Sequence, residues 1–228
     1  VFISRELAAE DLFLRQLQAR QIDAVGMSLI CFEAVSFDRV PPSDWLFVYS
    51  KNAVYYFFKT IEEAGLGVGF SGRKWAVLGQ ATADFLFSAQ GIKADFIGTG
   101  EPSGSARAFL ELAKGQSVLF LQARQSKRSV ERLLNSALPT ESLVVYDNFP
   151  KHDFAVPYCD VLVFTSPMNA EAYCKKYNLG EGQKIVAIGA STAKSLEMLG
   201  HAPERILVAT KPYEEDLARA VISVLEWH

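Results

Sequence analysis

The sequence predicts an α/β protein: two flavodoxin-like parallel-sheet domains joined by paired linkers. Three observations carry that prediction. Short apolar runs alternate with helix-period segments almost throughout, the pattern of parallel strands covered by helices. A pair of polar strand-to-helix junctions occurs twice in the same order. The C-terminal run of strands is also too short to build a domain by itself.

Strands are expected at 1–4, 24–30, 45–49, 75–78, 94–97, 118–121, 143–146, 161–165, 185–188 and 206–209, where apolar residues are continuous. Helices are expected at 8–20, 51–64, 81–89, 103–113, 127–136, 169–177, 191–199 and 213–226. Glycines at 65, 91, 180 and 200 fall just past helical patterns, where a left-handed residue closes the last turn.

From Asp44 to about Phe149 the chain supplies five strands and four helices, enough for a complete sheet. The stretch from Asp160 supplies three strands in under 70 residues, and the first 30 residues supply two more. The economical division makes residues 1–35 plus 150–228 one discontinuous α/β domain and 40–145 the inserted one. Linkers then fall near 35–42 and 146–158, where Pro41, Pro42, Pro150 and Pro157 interrupt regular ladders.

Composition excludes several classes of function. Half of the 228 residues are apolar, so a substantial core is available. A net charge of −3 gives no support for a nucleic-acid surface. Cys31, Cys159 and Cys174 show no CxxC spacing and read as buried thiols in a reducing compartment. His152, His201 and His228 form no metal-binding pattern, so no metal site is expected. No run of 18 apolar residues appears, and Val-Phe-Ile-Ser-Arg at the start reads as a strand, not a signal peptide. The expectation is a soluble cytoplasmic monomer without membrane or nucleic-acid partners.

The repeated junctions carry the functional signal. The first copy reads Leu46-Phe-Val-Tyr-Ser50-Lys-Asn52-Ala, then Leu78-Gly79-Gln-Ala-Thr82-Ala83; the second reads Leu162-Val-Phe-Thr-Ser166-Pro-Met-Asn169-Ala, then Ile188-Gly189-Ala-Ser-Thr192-Ala193. The serines lie 116 residues apart and the threonines 110. Each junction ends a strand and opens a helix, where free N–H groups and the helix dipole suit a carboxylate or phosphate. Simple capping by Ser and Thr explains any one junction; four in matched order predict two domains sharing an anionic ligand. Tyr55, Tyr56, Phe57 and Phe58 point around the helix circumference and are expected to pack the core.

On these elements the chain resembles the uroporphyrinogen-III synthase family nearly end to end. The resemblance rests on Phe2-Ile-Ser-Arg5, Leu46-Phe-Val-Tyr-Ser50-Lys-Asn52-Ala-Val, Ala76-Val-Leu-Gly79-Gln-Ala-Thr82-Ala and Val144-Val-Tyr146-x-x-x-Pro150. Asp160-Val-Leu-Val-Phe-Thr165-Ser166-Pro167 and Ala187-Ile-Gly189-Ala-Ser-Thr192-Ala complete it.

The resemblance implies a cofactor-free lyase, a hydro-lyase of tetrapyrrole (haem) biosynthesis. Such an enzyme cyclises hydroxymethylbilane, a linear tetrapyrrole with eight carboxylates, to uroporphyrinogen III. Water is lost, an azafulvene forms and a spiro intermediate inverts the last ring. Tyr146 matches the family tyrosine associated with leaving-group departure, and a phenol with an ordinary pKa near 10 is a hydrogen-bond donor at neutral pH. Ser50, Lys51, Thr82, Ser166, Thr192 and Arg5 are expected to bind the substrate, Lys127 and Arg128 to add charge at the mouth, and Arg124 and Arg128 compete for the position of the family's loop arginine. The chain departs from the family at Glu6, where many relatives carry proline, and over Leu121–Arg128. The competing reading is a non-catalytic, two-lobed protein that binds small anions.

Overall fold

The computed structural model describes residues 1–66, 69, 70 and 72–226; His228 lies outside them. The chain runs β1 (Phe2–Ile3), α1 (Leu12–Gln18), β2 (Val25–Gly26), β3 (Ile30–Ala34), β4 (Trp45–Val48), α2 (Lys51–Glu63), β5 (Lys74–Val77), α3 (Gln80–Gln90), β6 (Phe96–Ile97) and α4 (Pro102–Leu112). It continues through β7 (Val118–Ala123), α5 (Glu131–Leu134), β8 (Thr140–Pro150), β9 (Val161–Phe164), α6 (Pro167–Lys176), β10 (Lys184–Ala187), α7 (Ala190–Met198), β11 (Ile206–Val208) and α8 (Glu214–Glu226). The alternation is that of the predicted α/β class.

Two compact units emerge: Val1–Cys31 with Phe149–His228, and Phe32–Asn148. The first holds a parallel five-stranded sheet in the order β11-β10-β9-β1-β2, which is the flavodoxin order. Its strands bury both faces. Leu162, Phe164, Ile185 and Ala187 pack beneath α6 and α7 with Tyr173 and Leu196. Val161, Val163 and Val186 pack beneath α1 and α8 with Phe13, Leu17, Leu217 and Val221. Burial on both faces is why these strands read as unbroken apolar runs, and each fully buried Leu or Phe contributes about 1.5–3 kcal/mol.

The second unit holds the sheet β3-β8-β7-β4-β5-β6. Its five parallel strands follow a doubly wound order that reverses direction between β4 and β7, and β3 is added at the edge. Leu46, Val48, Val77, Leu119 and Leu121 face α2 and α3. Trp45, Phe47, Ala76 and Phe120 face α4 and α5.

Four local differences from the sequence reading have physical causes. The expected strand 24–30 is two strands, because β2 pairs β1 while β3 belongs to the other sheet. The expected helix 127–136 shrinks to Glu131–Leu134, since Arg128 takes a left-handed φ of 51° that a helix does not admit. The residues from Tyr146 to Pro150, read as the start of a linker, continue β8. Gly65, Gly91 and Gly200 close helices with φ of 60°, 68° and 92°, but α6 ends on extended Tyr177, and the Gly180 N–H instead donates to Gln183 Oε1.

Candidate active site

Ligands of doubly wound sheets bind beyond the strand ends where the strand order reverses. In the Phe32–Asn148 unit that point lies at the end of β4. There Ser50, extended at φ −156°, N-caps α2: its Oγ accepts the Ala53 N–H at 3.2 Å. The same Oγ lies 3.3 Å from the Tyr146 hydroxyl. Tyr146 is 9% exposed and sits between two rings. Tyr56 stacks on it at 5.5 Å and 21°, and Phe32 lies 6.1 Å away. The Tyr56 hydroxyl donates to the Phe32 carbonyl at 3.1 Å, tying α2 to β3.

A β-bulge aims Tyr146. Gln122 pairs with Val144, but Ala123 pairs with Tyr146, so β8 carries one extra residue against β7. The extra residue lets Val145 and Tyr146, adjacent in sequence, both enter the core beneath α2 and α3. A regular strand would send them to opposite faces.

The end of β5 builds the neighbouring opening. Gly79 N-caps α3 at φ −161° and supplies no side chain, so the N-cap gives no side-chain acceptor to the first N–H groups of this helix. Gln80 and Ala81 are exposed there, whereas Thr82 is buried, its N–H donating to the Gly79 carbonyl. A Cβ added to Gly79 would meet the Gly100 backbone at 3.4 Å, which shows how closely the loop before α4 approaches. The start of α4 is already filled. The Glu101 carboxylate accepts from Ser103 N at 2.9 Å and Gly104 N at 2.5 Å, and the N–H of Gly104, then that of Ser103, holds its pKa below the usual carboxylate value.

The other unit repeats this architecture. Ser166 N-caps α6, its Oγ accepting the Asn169 N–H at 3.2 Å. Gly189 N-caps α7 at φ −176° and again leaves the helix without a side-chain cap. Burial classes match position for position between 74–90 and 184–200. Thr192 is fully buried, and its hydroxyl has no hydrogen-bond partner among the described residues. The surface of this opening therefore comes from Ala190 and Ser191. Ser4 and Thr165 lock the ends of β1 and β9 together: the Thr165 N–H donates to Ser4 Oγ at 2.8 Å and the Thr165 hydroxyl to the Ser4 carbonyl at 2.9 Å.

One substitution separates the two serine junctions. Asn169 stands where the first copy has Ala53. Asn169 Nδ2 donates to Ser166 Oγ at 2.9 Å, and its Oδ1 accepts the Leu29 N–H at 2.8 Å. The Ser166 hydroxyl is thus engaged by an amide, whereas alanine leaves that side of Ser50 open to Tyr146.

The predicted cations behave differently from one another. Arg5 is held by carboxylates of its own unit, Asp11 at 2.6 Å and Glu214 at 2.7 Å, and Nη1 also donates to the Glu6 carbonyl. The Ala8 N–H and then Arg5 hold the Asp11 carboxyl below its ordinary pKa. Arg124 pairs with Asp147 at 3.0 Å. Lys51, at the first position of α2, and Lys127 and Arg128, beyond β7, are exposed.

Three neighbours escaped the sequence reading: Tyr56, Asn169 and Glu101. Position 53 against 169 was the available signal for Asn169; nothing local distinguishes Tyr56 from the other aromatics of α2. Among the described residues no group of three or more His, Cys, Asp or Glu is placed to hold a metal ion, and no helix is long and apolar enough to cross a membrane.

The sequence profile of the family described as uroporphyrinogen-III synthase HemD matches residues 11–219. Among solved structures, the chain is similar to the uroporphyrinogen-III synthetase of Helicobacter pylori, with 21% identity, a TM-score of 0.76 and 98% of each chain covered. It is also similar to a mutant uroporphyrinogen III synthase of the extremely thermophilic bacterium Thermus thermophilus, with 15% identity and a TM-score of 0.57 over 98% of this chain and 99% of that one. At such identities these two likenesses concern the fold. No curated protein sequence matches.

Proposed function

The chain belongs to the uroporphyrinogen-III synthase family, and we propose from its junctions how it closes hydroxymethylbilane with inversion of the last ring. The observation that carries the reading is the matched pair of helix openings at Gly79 and Gly189, neither covered by a side-chain acceptor. Serines cap α2 and α6, and Glu101 caps α4, but α3 and α7 offer their first N–H groups to an incoming carboxylate. The Glu101 carboxylate, whose pKa the Gly104 and Ser103 N–H groups lower, supports the reading that a helix start here suits an ionised carboxylate. Backbone donors of this kind serve a polyanion without requiring a basic protein.

In the proposed scheme the α3 opening takes a substrate carboxylate, with Thr82 shaping the turn beneath it and Lys51 adding charge at α2; the α7 opening over Thr192 is, within its own unit, a second place suited to a carboxylate. Ser166 braces the α6 junction. Arg5 serves as a structural tie, because two carboxylates already neutralise it. Tyr146 is the acid. The C–O bond of the hydroxymethyl group breaks with its electrons on oxygen, and the Tyr146 proton completes a water. The phenolate recovers a proton from those released as the ring closes. Holding the bilane so that its last ring inverts is the larger task, since proximity and orientation decide between competing closures. We place the enzyme in the cytoplasm as a monomer that uses no cofactor.

The test is to supply hydroxymethylbilane and resolve the porphyrin isomers after oxidation. Type III product is expected, and formation of the type I isomer alone would refute the assignment. Tyr146→Phe is expected to lower kcat by roughly 100-fold while product binding stays within a few-fold; wild-type turnover would remove Tyr146 from the acid role.

A further inference from the structure

From the hydrogen bonds around the β4 junction we infer that Ser50 is the positioning residue of Tyr146, and that its hydroxyl holds the phenolic oxygen during proton transfer. The inference rests on the reading of Tyr146 as the acid and assigns Ser50 a part in that step instead of a contact with substrate.

A serine hydroxyl has one proton and two lone pairs. One lone pair of Ser50 Oγ takes the Ala53 N–H, which fixes the rotamer and couples the hydroxyl to the positive end of α2. The hydroxyl can turn its proton to Tyr146 Oη, 3.3 Å away, and in the inferred arrangement it does so, leaving the phenolic O–H to be aimed at the departing hydroxyl. When that proton leaves, negative charge appears on Oη and the Ser50 O–H becomes a charge-assisted donor to it. The pair is largely shielded from water, because Tyr146 is 9% exposed and stacked on Tyr56. In such surroundings a fixed donor acts more strongly than it does in solvent.

The second copy of the junction supplies the contrast. Ser166 caps its helix with the same 3.2 Å bond, yet Asn169 Nδ2 also donates to its oxygen. Ala53 has no such group. The two serines share a capping geometry, but only at Ser50 is the remaining hydrogen bond made to a phenol.

A double-mutant cycle in the full chain tests this. Ser50→Ala is expected to lower kcat by about 10- to 100-fold, as for loss of one hydrogen bond to a charged group, with KM within about twofold. Ser50→Thr should restore most of the rate. Ser50→Gly keeps most of the helix capping but brings no side-chain donor, so its rate should stay low; circular dichroism checks that each variant is folded. In a Tyr146→Phe background, Ser50→Ala should change kcat less than about threefold.

A rate in Ser50→Gly equal to that in Ser50→Thr would reduce Ser50 to a cap and overturn the inference. An undiminished rate in Ser50→Ala, or a full further loss in the Phe background, would overturn it as well while leaving a slow Tyr146→Phe enzyme and the acid assignment intact. A Tyr146→Phe enzyme with the wild-type rate would sink the acid assignment, and the inference with it.

Discussion

Replacing Arg5 by Met should damage the fold of its unit and spare the chemistry. The guanidinium reaches Asp11 at 2.6 Å, Glu214 at 2.7 Å and the Glu6 carbonyl at 3.0 Å. Glu214 is also tied to α1, where its other oxygen accepts the N–H groups of Leu12 and Phe13. Methionine keeps the length of the side chain but removes every donor, and it leaves two carboxylates facing each other. Hydrogen bonds to charged groups contribute about 1.5–3 kcal/mol each when shielded. The side chains of Arg5 and Glu214 are 28% and 39% exposed, so solvent reduces the total loss to about 1–3 kcal/mol.

For a chain of this length that corresponds to a fall in Tm of roughly 2–4 °C per kcal/mol. The acid limb should change too. Asp11 titrates below its ordinary value in the folded protein, so its stabilisation is present above pH ~4 and is lost as pH falls through the folded value. Without Arg5 that loss should be smaller and should be complete at a higher pH. Thermal melts from pH 3 to 8, beside steady-state kinetics on hydroxymethylbilane, test both effects. An unmoved Tm together with a tenfold rise in KM would refute the reasoning and return Arg5 to the substrate.

Gly98→Ala would place a methyl group 2.5 Å from Ser105 Oγ and 2.6 Å from the Leu78 carbonyl, so a loss of about 1–3 kcal/mol is expected; an unchanged melting temperature would show that the loop before α4 yields freely. Burial pushes the Cys174 thiol from 9.0 up to about 11 and the Tyr49 phenol from 10.0 up to about 12. Both groups keep their protons longer in the folded state, so stability should fall as pH rises from about 9 through 12. In urea titrations at pH 8 and 10.5, Cys174→Ala should flatten part of that fall; an identical slope would mean that the thiol contributes nothing to it.

Local pattern made most of the architecture legible. Both faces of β9 and of β10 after Lys184 are buried, so residues 161–164 and 185–187 stood out as apolar runs, and the junction glycines and serines marked where each strand gives way to a helix. What escaped depends on distant partners. Leu29 and Ile30 look like one strand with Val25, yet β3 lies beside β8, more than 100 residues away. Arg5 looked like a free cation because its partner Glu214 is 209 residues distant. The bulge at Tyr146 is set by the pairing of Gln122 and Ala123 and has no signature in Val144-Val-Tyr146 itself. Sequence therefore marked the junctions, while the direction in which Tyr146 and Arg5 point came from tertiary pairing.

The repeated junctions divide their work between backbone and side chain. The shared property is a pair of helix openings, with the same burial position for position over 74–90 and 184–200. Backbone N–H groups tolerate divergence around them, because any residue that keeps the turn keeps the donors. Catalytic aim is less tolerant, since it needs one hydroxyl left open in one direction. Alanine at 53 meets that need, and asparagine at 169 closes it by donating to Ser166 while accepting from Leu29. The duplication thus repeats the helix openings in both units, while a serine–phenol contact occurs in the unit where Ser50 meets Tyr146, the place proposed for proton transfer.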